Sequence, residues 1–147
     1  MGHPTVVDAG QHAWALLLAT HASLVERIEA ALAAAQLPSL AWYDVLWALE
    51  RAGDGRLRMH ELAQRVVLSR SNLTRLADRL EAAGLIGRER CPDDRRGAYA
   101  VLTPAGRALR KRMWPLYRAQ IETLFASHLS AQEATTLSDL LTRILRA

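Results

Sequence analysis

A chain of 147 residues, half of them apolar and 23% charged, has the length of one domain and the composition of a folded one, which excludes a disordered chain. Its one cysteine, Cys91, excludes an internal disulfide framework and a multi-cysteine zinc site, and no apolar run approaches the roughly eighteen residues that cross a bilayer. The basic charge is concentrated: Arg51 to Arg112 carries fifteen Lys or Arg against seven Asp or Glu, a local +8 within a chain of +4, the footprint expected of phosphate binding. The start, Met1-Gly2-His3-Pro4, has no basic region leading into an apolar core, so the expectation is a cytoplasmic protein with no membrane partner.

Trp14, Leu17, Leu18, His21, Leu24, Val25, Ile28 and Leu32 recur at intervals of three and four and predict an amphipathic helix from about Ala9 to Ala35, broken by Pro38. Ser39 is the expected N-cap of a second helix carrying Leu40, Tyr43, Leu46, Trp47 and Leu49 and ended by Gly53. Arg56 to Arg58 then lead into a third short helix, Met59 to Val66, with Leu62, Ala63 and Val66 inward. After Val67-Leu68, Ser69 caps a fourth helix that runs to Gly84, and two helices with so short a joint form a helix-turn-helix. The period then becomes strand-like. Ile86 to Cys91 and Tyr99 to Leu102 predict a hairpin whose tip, Pro92-Asp93-Asp94-Arg95-Arg96-Gly97, has turn chemistry. Thr103-Pro104 opens a long helix with Leu109, Met113, Trp114, Tyr117, Ile121, Leu124 and Phe125, which Pro115 should kink. Ser130-Ala131-Gln132-Glu133 is a capping box for a last helix with Leu137, Leu140, Leu141, Ile144 and Leu145 on its apolar face.

On a helical wheel the fourth helix gathers Leu73, Leu76, Ala77 and Leu80 on one side, with Ser71, Arg75, Asp78 and Arg79 opposite. A helix that reads DNA needs this division, because apolar residues seat it while side chains near its N-terminus reach base edges in the major groove. Ser69, Arg70, Ser71, Asn72, Thr74, Arg75 and Arg79 are the expected DNA-binding residues here. Arg95 and Arg96, at the tip of the hairpin, suit a minor groove, with Asp94 as the partner that orients a neighbouring Arg.

The run Asp94-Arg95-Arg96-Gly97-Ala98-Tyr99-Ala100-Val101-Leu102-Thr103 resembles the Asp-x-Arg-x5-Leu-Thr signature of the MarR family of winged-helix regulators, and Ser69 to Ile86 is similar to that family's recognition helix running into its wing. The resemblance covers nearly the whole chain. It implies a homodimer built from the N- and C-terminal helices, a pseudopalindromic operator and an effector pocket between the dimer and DNA-binding regions. It also implies that Arg96 makes the minor-groove contact and Asp94 supports it. Arg58 departs from the pattern, standing where the family often places a Ser or Thr cap.

The expected fold is therefore mainly α with a small β-hairpin wing (α+β). Residues 1–38 form an N-terminal dimerisation helix, 39–103 a winged helix-turn-helix and 104–147 C-terminal dimerisation helices, in one compact domain. The expected partners are double-stranded DNA, a second copy of the chain and a small aromatic acid. For the last, His21, Trp42, Trp47, Trp114 and Arg118 are the pocket residues. No catalytic residue, metal site or cofactor is expected. The chain has no Gly-rich phosphate loop, no His-Glu-x-x-His and no Gly-x-Ser-x-Gly, and its scattered histidines share no face. The rival reading is a winged-helix dimerisation module that does not bind DNA, which would have no use for the basic middle segment. Repression and activation stay open at this point.

Overall fold

The computed structural model describes residues 5–66, 70–92 and 94–147, with the backbone alone at 70, 71 and 94–96. By packing, the chain divides into two units, one of residues 1–31 and 116–147 and one of 32–115.

The first unit contains most of helix α1 (Val6–Ala34), the end of α5 (Pro104–Leu124), a short 3-10 turn (Ala126–His128) and α6 (Ala131–Leu145). α1 begins three residues before the Ala9 expected from its apolar period. The reason is a local cap: Thr5 Oγ1 accepts the Asp8 amide at 3.2 Å, and Asp8 Oδ2 accepts both the Thr5 amide and the Thr5 hydroxyl. Those bonds to Thr5 hold the Asp8 carboxyl below its ordinary range. α6 starts at the expected capping box, with Ser130 Oγ accepting the Glu133 amide at 3.1 Å and Glu133 Oε1 accepting the Ser130 amide at 2.9 Å. Large apolar side chains stay exposed on both helices, among them Trp14 at 61%, Leu17, Leu18, Leu140 and Ile144 at 65%. No described helix is long and apolar enough to cross a membrane.

The second unit holds α2 (Leu40–Arg51), β1 (Arg56–Arg58), α3 (Met59–Arg65), α4 (Arg70–Ala82), β2 (Ile86–Cys91), β3 (Asp94–Leu102) and the first half of α5. Leu32, Val45, Leu46, Leu49, Leu62, Leu73, Leu80, Ile86 and Met113 are fully buried and form its core. Ser39 has the extended backbone of an N-cap, but its side chain makes no capping bond. Gly53, in the left-handed region at φ 83, follows the end of α2.

Arg56 to Arg58, expected as a lead-in to a helix, are a strand instead. They pair antiparallel with β3 (Arg56 with Val101, Leu57 with Ala100, Arg58 with Tyr99), so the hairpin becomes a three-stranded sheet in the order β1-β3-β2. Leu57 and Ala100 meet on its buried face.

The joint between α4, the sheet and α5 is held by a few bonds. α4 ends in a Schellman turn: the Leu85 amide donates to Leu80 O and the Gly84 amide to Glu81 O, with Gly84 at φ 75. Thr103 Oγ1 donates to Gly84 O at 2.7 Å and accepts the Gly106 amide at 3.0 Å, so the expected cap of α5 also ties that helix to the end of α4. Pro115, within α5, has no amide to give to the preceding turn.

Candidate nucleic-acid interface

α3 and α4 form the helix-turn-helix, and residues 67–69 of the joint between them, including the expected N-cap Ser69, lie outside the described residues. α4 divides as its sequence predicts. Leu73, Leu76, Ala77 and Leu80 are buried, while Asn72, Thr74, Arg75, Asp78 and Arg79 are exposed. Arg75 and Arg79 are one turn apart on the same strip of the helix. They line a cleft of about 280 Å³ with Asn72, Leu76 and three residues from the start of α2, Ser39, Ala41 and Trp42. Of Arg70 and Ser71 only the helical backbone is described.

The remaining polar residues of α4 do structural work. Asp78 Oδ1 accepts Arg88 Nη2 at 2.6 Å, and Glu81 Oε2 lies 3.0 Å from Arg88 Nε. One guanidinium on β2 thus spans two carboxylates three residues apart on α4 and sets the hairpin against the helix. The sequence reading missed this clamp. The only hint was a pair of acids on the polar side of an otherwise basic helix.

The wing differs from the expected turn. β3 begins at Asp94, not Tyr99, because Asp94 pairs with Cys91. The next pair is Arg90 with Ala98, so Arg95, Arg96 and Gly97 stand opposite no residue of β2. Such a shift is a bulge, which removes residues from the ladder without ending the strand. The backbone therefore places Arg95 and Arg96 in a strand irregularity next to the Pro92 turn instead of at the tip. The side chains of Asp94, Arg95 and Arg96, and so the expected orienting role of Asp94, lie outside the described residues. Lower on the sheet, Arg56 and Arg58 stand over the Tyr99 ring at 4.6 and 5.7 Å from its centroid. Hydrogen bonding to Tyr99 raises the Arg58 pKa above its ordinary value.

The five residues expected around an aromatic acid are distributed. His21 and Arg118 belong to the first packing unit, and Trp42, Trp47 and Trp114 to the second. Within the second unit the tryptophans have different settings. Trp42 lines the cleft with Arg75 and Arg79. The Arg110 and Arg51 guanidiniums lie over the Trp47 ring, 4.9 and 5.9 Å from its centroid. Trp114 stacks on Tyr43, centroids 6.1 Å apart and planes at 21°. Arg110 Nε approaches Glu50 Oε2 to 2.7 Å as an ion pair, with side chains 11% and 12% exposed, and Arg107 reaches the other oxygen at 3.2 Å.

Comparison with known proteins gives this arrangement a family. A MarR family sequence profile matches residues 37–97, from just before α2 into β3. The crystal structure of AbsC, a MarR family transcriptional regulator from Streptomyces coelicolor, superposes over 99% of this chain and 97% of its own, with a TM-score of 0.85 and 30% identity. This chain belongs to the MarR family. Another MarR family member, Sco3205 of Streptomyces coelicolor, solved in complex with DNA, is 26% identical with a TM-score of 0.86, over 99% of this chain and 89% of that one. The HTH-type transcriptional regulator YkoM of Bacillus subtilis (strain 168) is 33% identical over 87 residues, 59% of this chain and 56% of that protein. The MarR family and these relatives are transcriptional regulators, not enzymes.

Proposed function

We propose that this MarR-family regulator is a homodimeric repressor that binds a pseudopalindromic operator. α4 enters the major groove through Asn72, Thr74, Arg75 and Arg79, with Ser69, Arg70 and Ser71 at its start. The bulged wing brings Arg95 and Arg96 to the minor groove, with Asp94 supporting them, and a small aromatic acid releases the DNA. The observation that carries the reading is the division of α4: four buried apolar residues seat it, and Arg75 and Arg79 are left exposed on one strip. A similar fold binds DNA in Sco3205, which supports the same use here.

Residues 1–38 and 104–147 are proposed as the dimerisation region around the DNA-binding segment 39–103. Trp14, Leu17 and Leu18 on α1 and Leu140 and Ile144 on α6 support this, because apolar patches exposed on this scale mark interfaces.

The test uses promoter fragments flanking the gene at several salt concentrations. Arg75→Ala should lose discrimination between the selected duplex and a scrambled one, by roughly 1 to 3 kcal/mol for a bidentate base contact. Arg96→Ala should weaken binding to both and lower the salt slope by about one phosphate contact. If both variants bind as the parent does, the assignment of α4 and the wing is wrong.

A further inference from the structure

β3 has two kinds of support along its length. β1 covers it only as far as the pair of Arg58 with Tyr99, whereas β2 continues through Arg90 with Ala98 to Cys91 with Asp94. Tyr99 is therefore the residue at which the three-stranded sheet becomes a two-stranded wing, and two strands by themselves are only marginally stable. The bulge of residues 95–97 starts two residues beyond it.

What holds this boundary lies on the outer face of the sheet. Leu57 and Ala100 are on the buried face, so by alternation Arg56, Arg58 and Tyr99 are on the other, together with Glu89, which pairs with Tyr99. Arg56 Nε donates to Asp54 Oδ2 at 3.2 Å, its guanidinium lies 4.6 Å from the Tyr99 ring centroid, and its Nη1 comes within 3.6 Å of Glu89 Oε2. β1 and β2 are second neighbours, roughly 10 Å apart, so this one side chain crosses the central strand and joins all three strands over the ring. Arg58, 5.7 Å from the same centroid, donates to the Tyr99 hydroxyl. With two carboxylates and a ring around it, Arg56 is placed to hold the sheet and not to meet a phosphate.

We propose that Tyr99, latched under Arg56 and Glu89, is a positioning residue of the wing: it fixes the root of the two-stranded segment, so that Arg95 and Arg96 meet the minor groove already aimed. The inference rests on the proposed DNA-binding function. Its physical basis is preorganisation, since a wing held in its binding geometry loses less conformational freedom on meeting DNA. The latch is distinct from the Arg88 clamp, which holds the inner face of the sheet against α4.

Glu89→Gln is the sharpest test, because two effects have opposite signs. It removes a negative charge, which by charge alone should tighten DNA binding; by releasing Arg56 it should instead weaken it, about threefold. Tyr99→Leu, which removes the ring, should weaken promoter binding about fivefold, and Tyr99→Phe, which keeps it, should restore most of that loss. In an Arg95→Ala, Arg96→Ala chain, Tyr99→Leu should cause no further loss, because a wing without its groove arginines gains nothing from being aimed. Fluorescence anisotropy with promoter fragments flanking the gene, at low salt, measures binding, and thermal melts establish that each variant is folded. Amide hydrogen exchange of the free protein is a readout independent of DNA: residues 90–98 should exchange faster in Glu89→Gln and Tyr99→Leu than in the parent. Unchanged or tighter binding by Glu89→Gln, or an equal loss from Tyr99→Leu in both backgrounds, overturns the positioning role. Unchanged exchange at residues 90–98 overturns the latch itself. A parent that selects no promoter DNA refutes the regulator reading, and exchange then still decides the latch.

Discussion

Gly106→Ala tests the joint that carries the wing and α5. A β-carbon built on Gly106 falls 2.1 Å from the Leu85 carbonyl oxygen and 2.9 Å from Leu102 Cδ1. The oxygen cannot simply move aside, since it accepts the Thr103 amide at 3.2 Å and its neighbour Gly84 O accepts the Thr103 hydroxyl. Two effects oppose each other. Alanine favours a helix over glycine by about 1 kcal/mol, while forcing a methyl into a packed site costs about 3 kcal/mol when backbone has to shift. The clash wins, for a net loss of about 2 kcal/mol, or about 6 °C in Tm for a chain of this size. Thermal and urea unfolding followed by circular dichroism at one protein concentration measure it, the concentration being fixed because a dimer's stability depends on it. Gly87→Ala is the control, since nothing lies within 4 Å of its added methyl. A Gly106→Ala protein that melts with or above the parent refutes the reasoning, because helix propensity would then have outweighed the contact.

Arg88→Ala should cost less than about 1 kcal/mol of stability, since its carboxylate partners are about half exposed, yet lower operator affinity by more than that; equal losses in unfolding and in gel-shift titrations would deny the clamp a positioning role. Gln36→Gly should stabilise the protein by about 0.5 to 1 kcal/mol, as Gln36 ends α1 in the left-handed region at φ 58 with Leu37 N bonded to Leu32 O, and a lower urea midpoint would contradict this. The Ser130 amide and hydroxyl hold the Glu133 carboxyl below its ordinary range. Its contribution to the α6 cap is therefore complete above the unfolded Glu pKa and lost as the pH falls through the lower folded one. Amide exchange at Glu133 and Ala134 should rise in that acidic window in the parent, while Glu133→Gln should show no such step; a parent as flat as the variant would remove the carboxylate from the cap.

Much of this fold was legible because it is written in interactions spanning three or four residues. The Ser130–Glu133 box, the Thr103 cap and the β2 limits at Ile86 and Cys91 all appear as expected. So does the burial of Leu73, Leu76, Ala77 and Leu80. The exposed Arg75 and Arg79 of the proposed DNA-reading face follow from the same wheel. Other features depend on partners far away in the chain, which no local period encodes. Arg56 to Arg58 are too few to show alternation and become a strand only because β3 offers its open edge. The bulge at Arg95 to Gly97 exists because Cys91 pairs with Asp94 while Arg90 pairs with Ala98. Arg88 reads in sequence as one more basic residue of the +8 segment, and folding spends its charge on Asp78 and Glu81. The three tryptophans read as one aromatic surface but have different neighbours in the fold: Arg75 and Arg79 of α4 line a cleft with Trp42, Arg110 of α5 lies over Trp47, and Tyr43 of α2 stacks on Trp114. Local chemistry thus determined which elements form and which faces they bury, while tertiary packing decided which of the exposed charges remain available to a partner.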